Sequence, residues 1–144
     1  MWTSTLQRAL QTTRALGRRF ESLKALDEID AGVCDGLSYA QVAERMPEEF
    51  AARKADKLRY RYPRGESYED VISRVEPVII EMERQPTPVV IVAHQAILRT
   101  LYAYLTGRSR KECPHIEVPI HTVIELRPGS YGVAEQRYPL LPEQ

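Results

Sequence analysis

The fold of this chain is decided by Val89-Val90-Ile91-Val92-Ala93-His94. Five apolar residues, four of them β-branched, run directly into a histidine. Such a run is short enough for a strand and too apolar for an edge, so we expect a fully buried parallel strand over residues 89–93. His94 then lies at the carboxyl end of that strand, where open α/β sheets bind ligands. Position alone leaves open whether His94 belongs to a site or simply ends a core strand.

Composition places the chain among ordinary globular domains. Its 144 residues suffice for one domain, 43% of them are hydrophobic, and 20 basic residues balance 20 acidic ones. Zero net charge favours neither nucleic acid nor a membrane surface, and no apolar run approaches the roughly 18 residues of a membrane span. Cys34 and Cys113 lack the spacing of a zinc site, so we expect free thiols, a cytoplasmic protein, and neither metal nor cofactor.

The N-terminal part predicts a helix and then a short strand. Thr3 or Ser4 caps a helix that runs to about Leu16, and residues 23–26 form the strand. Residues 27–32, which include three carboxylates, then form a loop.

Three further helices are predicted from their capping signals. Ser38 and Ser67 begin capping boxes for helices that end near Met46 and Arg84, and Pro47 opens a helix between them.

The C-terminal part predicts one more helix and a hairpin. A helix begins at Gln95, and the residues on its apolar face are Leu98, Leu101, Tyr102 and Leu105. Residues 122–126 form a strand, and residues 133–138 pair back against it. Alternating strands and helices followed by a hairpin predict an α/β domain with a mainly parallel sheet.

Three groups of charged residues are candidates for a site. Arg8 lies near the start of the first helix, where a basic residue is unusual, and it could hold an anion. A buried carboxylic acid within residues 27–30 could donate a proton. Arg53, Lys57 and Arg61 follow at spacings of four, which on a helix forms a basic stripe suited to a phosphorylated small molecule. A solvated arginine, a polar turn, a solvated face and a weak polyanion patch are the alternatives.

Four stretches together resemble one known family. They are Leu26-Asp27-Glu28-Ile29-Asp30-Ala31-Gly32-Val33-Cys34, Tyr60-Arg61-Tyr62-Pro63-Arg64-Gly65-Glu66-Ser67-Tyr68, His94-Gln95-Ala96 with Arg99, and Pro119-Ile120-His121-Thr122. They resemble the fructose-2,6-bisphosphatase domain of the bifunctional 6-phosphofructo-2-kinase/fructose-2,6-bisphosphatase family, a branch of the histidine phosphatase superfamily. The resemblance covers nearly the whole chain and is strongest to plant and algal members.

The resemblance implies a phosphoglycerate-mutase-like three-layer sandwich and a hydrolytic mechanism without a metal or cofactor. A nucleophilic histidine takes the 2-phosphoryl group of fructose 2,6-bisphosphate, and water hydrolyses the phosphohistidine to release fructose 6-phosphate and phosphate. Glu28 matches the acid that protonates the leaving oxygen, His94 the second histidine, and Arg8 the arginine that holds the phosphoryl oxygens. The residues that match the sugar and 6-phosphate contacts are Tyr39, Arg53, Lys57, Tyr68, Gln95 and Arg99.

The chain departs from the family at the nucleophile. Family members carry it in an Arg-His-Gly triplet on their first strand, whereas the three histidines here follow Ala93, Pro114 and Ile120. We therefore expect residues 1–144 to be a single, N-terminally incomplete domain that lacks the first central strand and the kinase domain and is inactive alone. For the full-length family, the sequence leaves open whether the protein forms a homodimer.

Two other functions remain in view. A catalytically dead sugar-phosphate-binding or regulatory module would keep the 6-phosphate contacts without turnover. A polyanion-binding surface over residues 53–64 is disfavoured by the zero net charge.

Overall fold

The structure is a computed structural model and describes residues 1–142. The helices are α1 (Gln7–Ala15), α2 (Tyr39–Arg45), α3 (Pro47–Ala55), α4 (Tyr68–Glu83) and α5 (Gln95–Thr106). The strands are β1 (Trp2–Thr3), β2 (Glu21–Ser22), β3 (Ile91–Val92), β4 (Thr122–Gly129) and β5 (Gly132–Pro139). Short 3₁₀ helices occupy Lys24–Leu26, Gly32–Cys34 and Cys113–His115. Within residues 1–142, no helix is long and apolar enough to cross a lipid bilayer.

The strands form two separate sheets. One has the order β2-β1-β3 and is entirely parallel, with Trp2 of β1 opposite Glu21 and Ile91. The other is the antiparallel hairpin of β4 and β5, in which Thr122 lies opposite Pro139. A parallel sheet with intervening helices and a C-terminal hairpin confirms the predicted α/β class.

The expectation of a fully buried strand over residues 89–93 is wrong. Only Ile91 and Val92 pair, β3 is the outermost strand of its sheet, and Val90 is 50% exposed. A β-branched apolar run indicates that a segment suits a sheet, but it does not specify how many neighbours pair with it.

The two N-terminal element predictions also need correction. Thr3 and Ser4 do not cap α1: Thr3 belongs to β1, and the residue before α1 is Leu6. Residues 24–26 form a 3₁₀ helix, while β2 lies earlier, at Glu21–Ser22. Both errors arise because β1 and β2 are two-residue strands that exist only through their pairing with neighbouring strands, which local propensity does not reveal.

The capping signals were reliable. The boxes that begin at Ser38 and Ser67 both form, and Pro47 occupies the first turn of α3. These signals succeed because a cap depends on residues three positions apart in the sequence.

The hydrophobic core fixes the sheet against α4 and α5. One cluster contains Trp2, Leu26, Val71, Val75, Val78, Ile79, Ile97 and Leu101. A second cluster contains Leu58, Tyr68, Ala96, Ala103, Cys113, Ile116 and Val118. Because residues of both clusters lie on α4 and α5, this packing holds the first turn of each helix close to the carboxyl ends of the strands.

Candidate active site

Three loops meet at the carboxyl edge of the parallel sheet. Ser4 and Thr5 follow β1, residues 27–31 follow β2 and its 3₁₀ helix, and His94 follows β3. The Asp27 carboxylate accepts hydrogen bonds from the Thr5 amide at 2.7 Å and the Thr5 hydroxyl at 2.8 Å, which ties the first two loops together. The carboxyl ends of parallel strands bring side chains that are distant in sequence to one edge.

His94 is buried and precedes the first residue of α5. Its Nε2 lies 2.7 Å from the hydroxyl of Ser4, which is also buried. Burial, and to a smaller extent the charge of Arg8, lower the pKa of His94 to about 4, although the charge of Asp27 acts in the opposite direction. His94 is therefore neutral at pH 7, with one ring nitrogen as donor and the other as acceptor.

Glu28 is held over the amino end of α5. Its Oε1 accepts the amides of Ile29 at 2.9 Å and Ala96 at 3.2 Å. Burial raises the pKa of Glu28, and the two amide bonds and the charges of Arg8 and Arg74 only partly oppose it. The carboxyl group is thus shifted toward the protonated form that a general acid requires. Because Ala96 is two residues from His94, the structure brings Glu28 and His94 together.

Arg8 is exposed in the first turn of α1. Its positive charge acts on both Glu28 and His94. Among the described residues, its guanidinium takes part in no hydrogen bond or ion pair, so it is available to an anion. Gln95 is likewise exposed, directly after His94.

A second group of candidate residues surrounds Tyr68. The Arg99 guanidinium donates to the Tyr68 hydroxyl at 3.0 Å and to the carbonyl of Ile116 at 2.7 Å. The Lys57 ammonium lies 6.0 Å from the Tyr68 ring and donates to the Pro114 carbonyl at 2.8 Å. Burial raises the pKa of Tyr68, and the charge of Glu28 adds to the increase, so Tyr68 connects this group to the acid.

Arg53 completes the second group through Tyr39. Its guanidinium lies 4.6 Å from the centre of the Tyr39 ring and donates to the Tyr39 hydroxyl at 3.2 Å. Burial and the charges of Arg53 and Arg99 lower the pKa of Lys57 to about 8. Three cations that repel one another in this way favour a multiply charged anion such as a phosphate.

The predicted basic stripe on one helix is wrong. α3 ends at Ala55, so Lys57 and Arg61 lie beyond it. Lys57 reaches Arg53 through the turn that follows α3, whereas Arg61 pairs with both carboxylate oxygens of Asp70, at 2.8 and 2.9 Å. The regular spacing of the three cations in the sequence was therefore coincidental.

Sequence reasoning missed three contacts around the acid. Ser4 had been interpreted as a helix cap, and Thr5 and Arg74 carried no local signal. Asp27 was recognised only as one of several loop carboxylates. No local sequence pattern could reveal these contacts, because each one joins residues that are at least 22 positions apart.

The acid loop, residues 27–32, packs directly on the turn formed by residues 62–66. Gly32 has a φ of +51°, and a Cβ placed there would lie 1.9 Å from the Pro63 carbonyl oxygen. A Cβ on Gly65 would lie 2.2 Å from the carbonyl oxygen of Asp30. The two backbones therefore touch at a pair of glycines.

Two cavities lie on the outer side of the second group. Their volumes are about 490 and 330 Å³, and they share Lys111 and His115 in their linings. Of the candidate residues, only Lys57 lines either cavity. A single pocket containing Arg8, Glu28 and His94 together with the Lys57 group stays a prediction. Within residues 1–142, no cluster of His, Cys, Asp or Glu side chains could hold a metal ion.

Comparison with known proteins identifies the class. Residues 1–139 match the histidine phosphatase superfamily, branch 1, and the chain belongs to this superfamily. The chain is 59% identical over 142 residues to 6-phosphofructo-2-kinase/fructose-2,6-bisphosphatase of Arabidopsis thaliana, a match that covers 98% of the chain and 19% of that relative. It is 52% identical over 132 residues to 6-phosphofructo-2-kinase/fructose-2,6-bisphosphatase 1 of Homo sapiens, covering 92% of the chain and 28% of the relative. The family resemblance inferred from the four stretches is confirmed.

Solved structures confirm the fold. The α-ribazole phosphatase from Shigella flexneri superposes with a TM-score of 0.81 at 20% identity, covering 96% of this chain and 71% of that one. Mycobacterial glucosyl-3-phosphoglycerate phosphatase gives a TM-score of 0.76 at 24% identity, covering 96% and 74%. The phosphoglycerate-mutase-like architecture expected from the sequence is therefore observed.

Proposed function

We propose that this chain is the fructose-2,6-bisphosphate 2-phosphatase part of a bifunctional kinase/phosphatase, and that its products are fructose 6-phosphate and phosphate. The chain spans only 19% to 28% of the length of these two relatives, so their names describe longer proteins. The observation that carries the proposal is the half-buried Glu28 carboxyl group, whose pKa is raised by burial and which lies near His94 and within the influence of the Arg8 charge.

Glu28, Arg8 and His94, at the carboxyl edge of the sheet, each have one role in the proposed reaction. Glu28 donates its proton to the C2 oxygen as the P–O bond breaks, which neutralises the leaving alkoxide. Arg8 binds two oxygens of the transferring phosphoryl group, since its planar fork matches their geometry. Neutral His94 adds one N–H hydrogen bond to the same group, and the Ser4 hydroxyl holds its ring in place.

The second group binds the rest of the substrate. Lys57, Arg53 and Arg99 surround the 6-phosphate, and the Tyr68 hydroxyl contacts the sugar. The residues assigned to this subsite are Tyr39, Arg53, Lys57, Tyr68, Gln95 and Arg99. An anion bound here relieves the repulsion among the three cations and raises the pKa of Lys57 back toward its ordinary value.

The nucleophile is not supplied by residues 1–144 in this proposal. His94 already contacts the phosphoryl group. His115 lies in a 3₁₀ helix that lines the outer cavities, and His121 is exposed with a φ of +51°. Neither follows an arginine, and a nucleophile tolerates misplacement of only about 1 Å. We therefore expect no turnover from this chain alone.

A sugar-phosphate-binding module without catalysis is the second candidate. It is favoured by the absence of an Arg-His-Gly triplet in a chain that keeps the cation group around Tyr68. Both candidates require a bound sugar phosphate, and turnover by a longer form that carries the family's Arg-His-Gly histidine distinguishes them.

The test combines turnover and binding. The purified chain is incubated with fructose 2,6-bisphosphate labelled at the 2-phosphate, and free phosphate and acid-labile labelled protein are measured. Calorimetry with fructose 6-phosphate reports binding. We expect no label transfer, and binding that Lys57→Met weakens about tenfold or more, because a charged hydrogen bond is lost. Lys54→Met, an exposed neighbour on α3, is the matched control.

Two results would contradict this account. Label transfer that disappears on mutation of His115 or His121 would show that the nucleophile lies within the chain. Binding of fructose 6-phosphate that is absent, or that both lysine variants weaken equally, would reject the assigned subsite.

A further inference from the structure

Arg74 holds the backbone of the acid loop. Its guanidinium, which is only 25% exposed, donates to the carbonyls of Ala25 at 2.7 Å, Asp27 at 2.7 Å and Glu28 at 3.2 Å. A guanidinium can serve several acceptors at once because its donors point in fixed directions within one plane. One side chain of α4 thus fixes three peptide groups of the segment that carries Glu28.

Glu66 connects the same arginine to the turn beneath the loop. Arg74 Nε donates to Glu66 Oε1 at 2.7 Å, and Nη2 donates to Oε2 at 3.1 Å. Oε2 of Glu66 also accepts the amide of Asp30 at 2.9 Å. The pair therefore joins α4, the turn and the acid loop through charge-assisted hydrogen bonds in a half-buried position.

The segment that carries Glu28 has no regular secondary structure of its own. Residues 27–31 form no helix or strand, and within residues 1–142 the Glu28 carboxylate accepts hydrogen bonds only from the amides of Ile29 and Ala96. The charged and titratable groups around it are Arg8 from α1, Arg74 and Tyr68 from α4, and His94 at the start of α5. Fixing an irregular backbone costs conformational entropy, so the loop needs contacts that offset this loss.

We propose that Arg74, together with Glu66, is a positioning residue that keeps the Glu28 carboxyl group over the amino end of α5, within reach of the leaving oxygen. This inference rests on the proposed function, which makes Glu28 the proton donor. Arg74 itself does not touch the substrate. Its effect on the reaction passes through the placement and burial of Glu28.

The experiment measures the titration of Glu28 directly, without turnover. The 144-residue chain is labelled with ¹³C at glutamate side chains, and the Glu28 carboxyl signal is assigned by its loss in Glu28→Gln. Arg74→Lys keeps the positive charge but loses the planar fork. We expect the released loop to expose Glu28, so that its raised pKa falls toward the ordinary value of 4.5. Arg61→Lys is the control, because Arg61 pairs with Asp70 on the same helix without touching the loop.

The outcomes separate positioning from a merely structural role. A lower melting temperature of Arg74→Lys with an unchanged Glu28 pKa would overturn the proposal. An equal shift in Arg61→Lys would also overturn it. If Arg74→Lys does not fold by circular dichroism, Glu66→Gln replaces it, and we expect a smaller shift in the same direction; no shift overturns the proposal. Failure of the wild-type chain to bind fructose 6-phosphate would instead reject the proposed function, whatever the titration shows.

Discussion

Burial sets the charge state of three side chains on which the proposed chemistry depends. It raises the pKa of Glu28 and lowers those of His94 and Lys57, so all three are shifted toward their neutral forms. A phosphate brought next to His94 and Lys57 favours their protonated forms. We therefore expect the binding of a bisphosphate to raise the pKa values of both side chains.

Replacing Glu28 is expected to affect chemistry more than binding. In a form of the domain that includes the family's Arg-His-Gly histidine, Glu28→Gln should slow phosphohistidine formation by about 10²–10⁴-fold, since it removes the general acid. Fructose 6-phosphate affinity should change little, because the Lys57 group is intact. Single-turnover kinetics gives the first quantity and calorimetry the second. Near-normal phosphohistidine formation would rule out the role of Glu28.

Lys57 predicts a pH dependence of ligand binding. Its pKa of about 8 means that the free chain loses this charge as the pH rises from 7 to 9. Only the protonated ammonium attracts a phosphate, so fructose 6-phosphate affinity should fall by up to about tenfold per pH unit above the pKa. Lys57→Arg should bind with a much flatter profile, because arginine stays charged throughout. An equally steep decline in the arginine variant would exclude Lys57 as the titrating group.

Several hydrogen bonds and an ion pair stabilise the amino end of α4. The Asp70 carboxylate accepts the amide and hydroxyl of Ser67 and pairs with Arg61. Together these contacts lower the pKa of Asp70 to about 2, with the Arg61 hydrogen bond as the largest cause. A carboxyl group whose pKa is depressed in the folded state stabilises the fold above its unfolded pKa and loses that contribution as the pH falls.

Asp70→Asn should therefore unfold at a lower temperature than the wild type at pH 7. The difference should shrink as the pH falls from about 4 to 2, where the wild-type carboxyl group becomes protonated. Thermal unfolding followed by circular dichroism across this range provides the measurement. Glu69→Gln, on the adjacent position of the same turn, is the control. A difference that stays constant with pH would show that Asp70 acts only as a neutral cap.

The sequence predicts the features of these elements that depend on nearby residues. It does not predict the features that depend on pairing between distant segments. The caps at Ser38 and Ser67 were correct, because each depends on a residue three positions away. The bounds of β1, β2 and β3 were not, because two-residue strands exist only by virtue of their neighbours. Family resemblance brought Glu28 and His94 to one site, but Arg74 was missed because its three carbonyl acceptors lie 46 to 49 positions away.

At the scale of the whole molecule, β3 leaves one side of its sheet open. Hydrogen bonds from Trp2 and Ser4 use the carbonyls of Val90 and Val92. Since bonding alternates along a strand, the backbone groups of Ile91 and Ala93 point away from β1. These amide and carbonyl groups form an open edge to which a strand of another chain can pair.

The 144-residue chain should consequently associate through this edge as its concentration rises. Val90→Lys places a charge beside β3 and should reduce the association measured by light scattering. Ile80→Lys, at an equally exposed position on α4, should leave it unchanged. Association that both variants suppress equally would point to general hydrophobic contact instead of strand pairing.

The glycine pair at positions 32 and 65 constrains how the sequence of such a protein can evolve. No side chain fits between the acid loop and the turn beneath it at these two positions, so a larger residue at either glycine would push the two backbones apart. An insertion or substitution that reshapes the turn is therefore expected to displace Glu28, the proposed proton donor, as well. New substrate preferences are therefore more accessible through the side chains of α3 and its following turn than through the backbone at this junction.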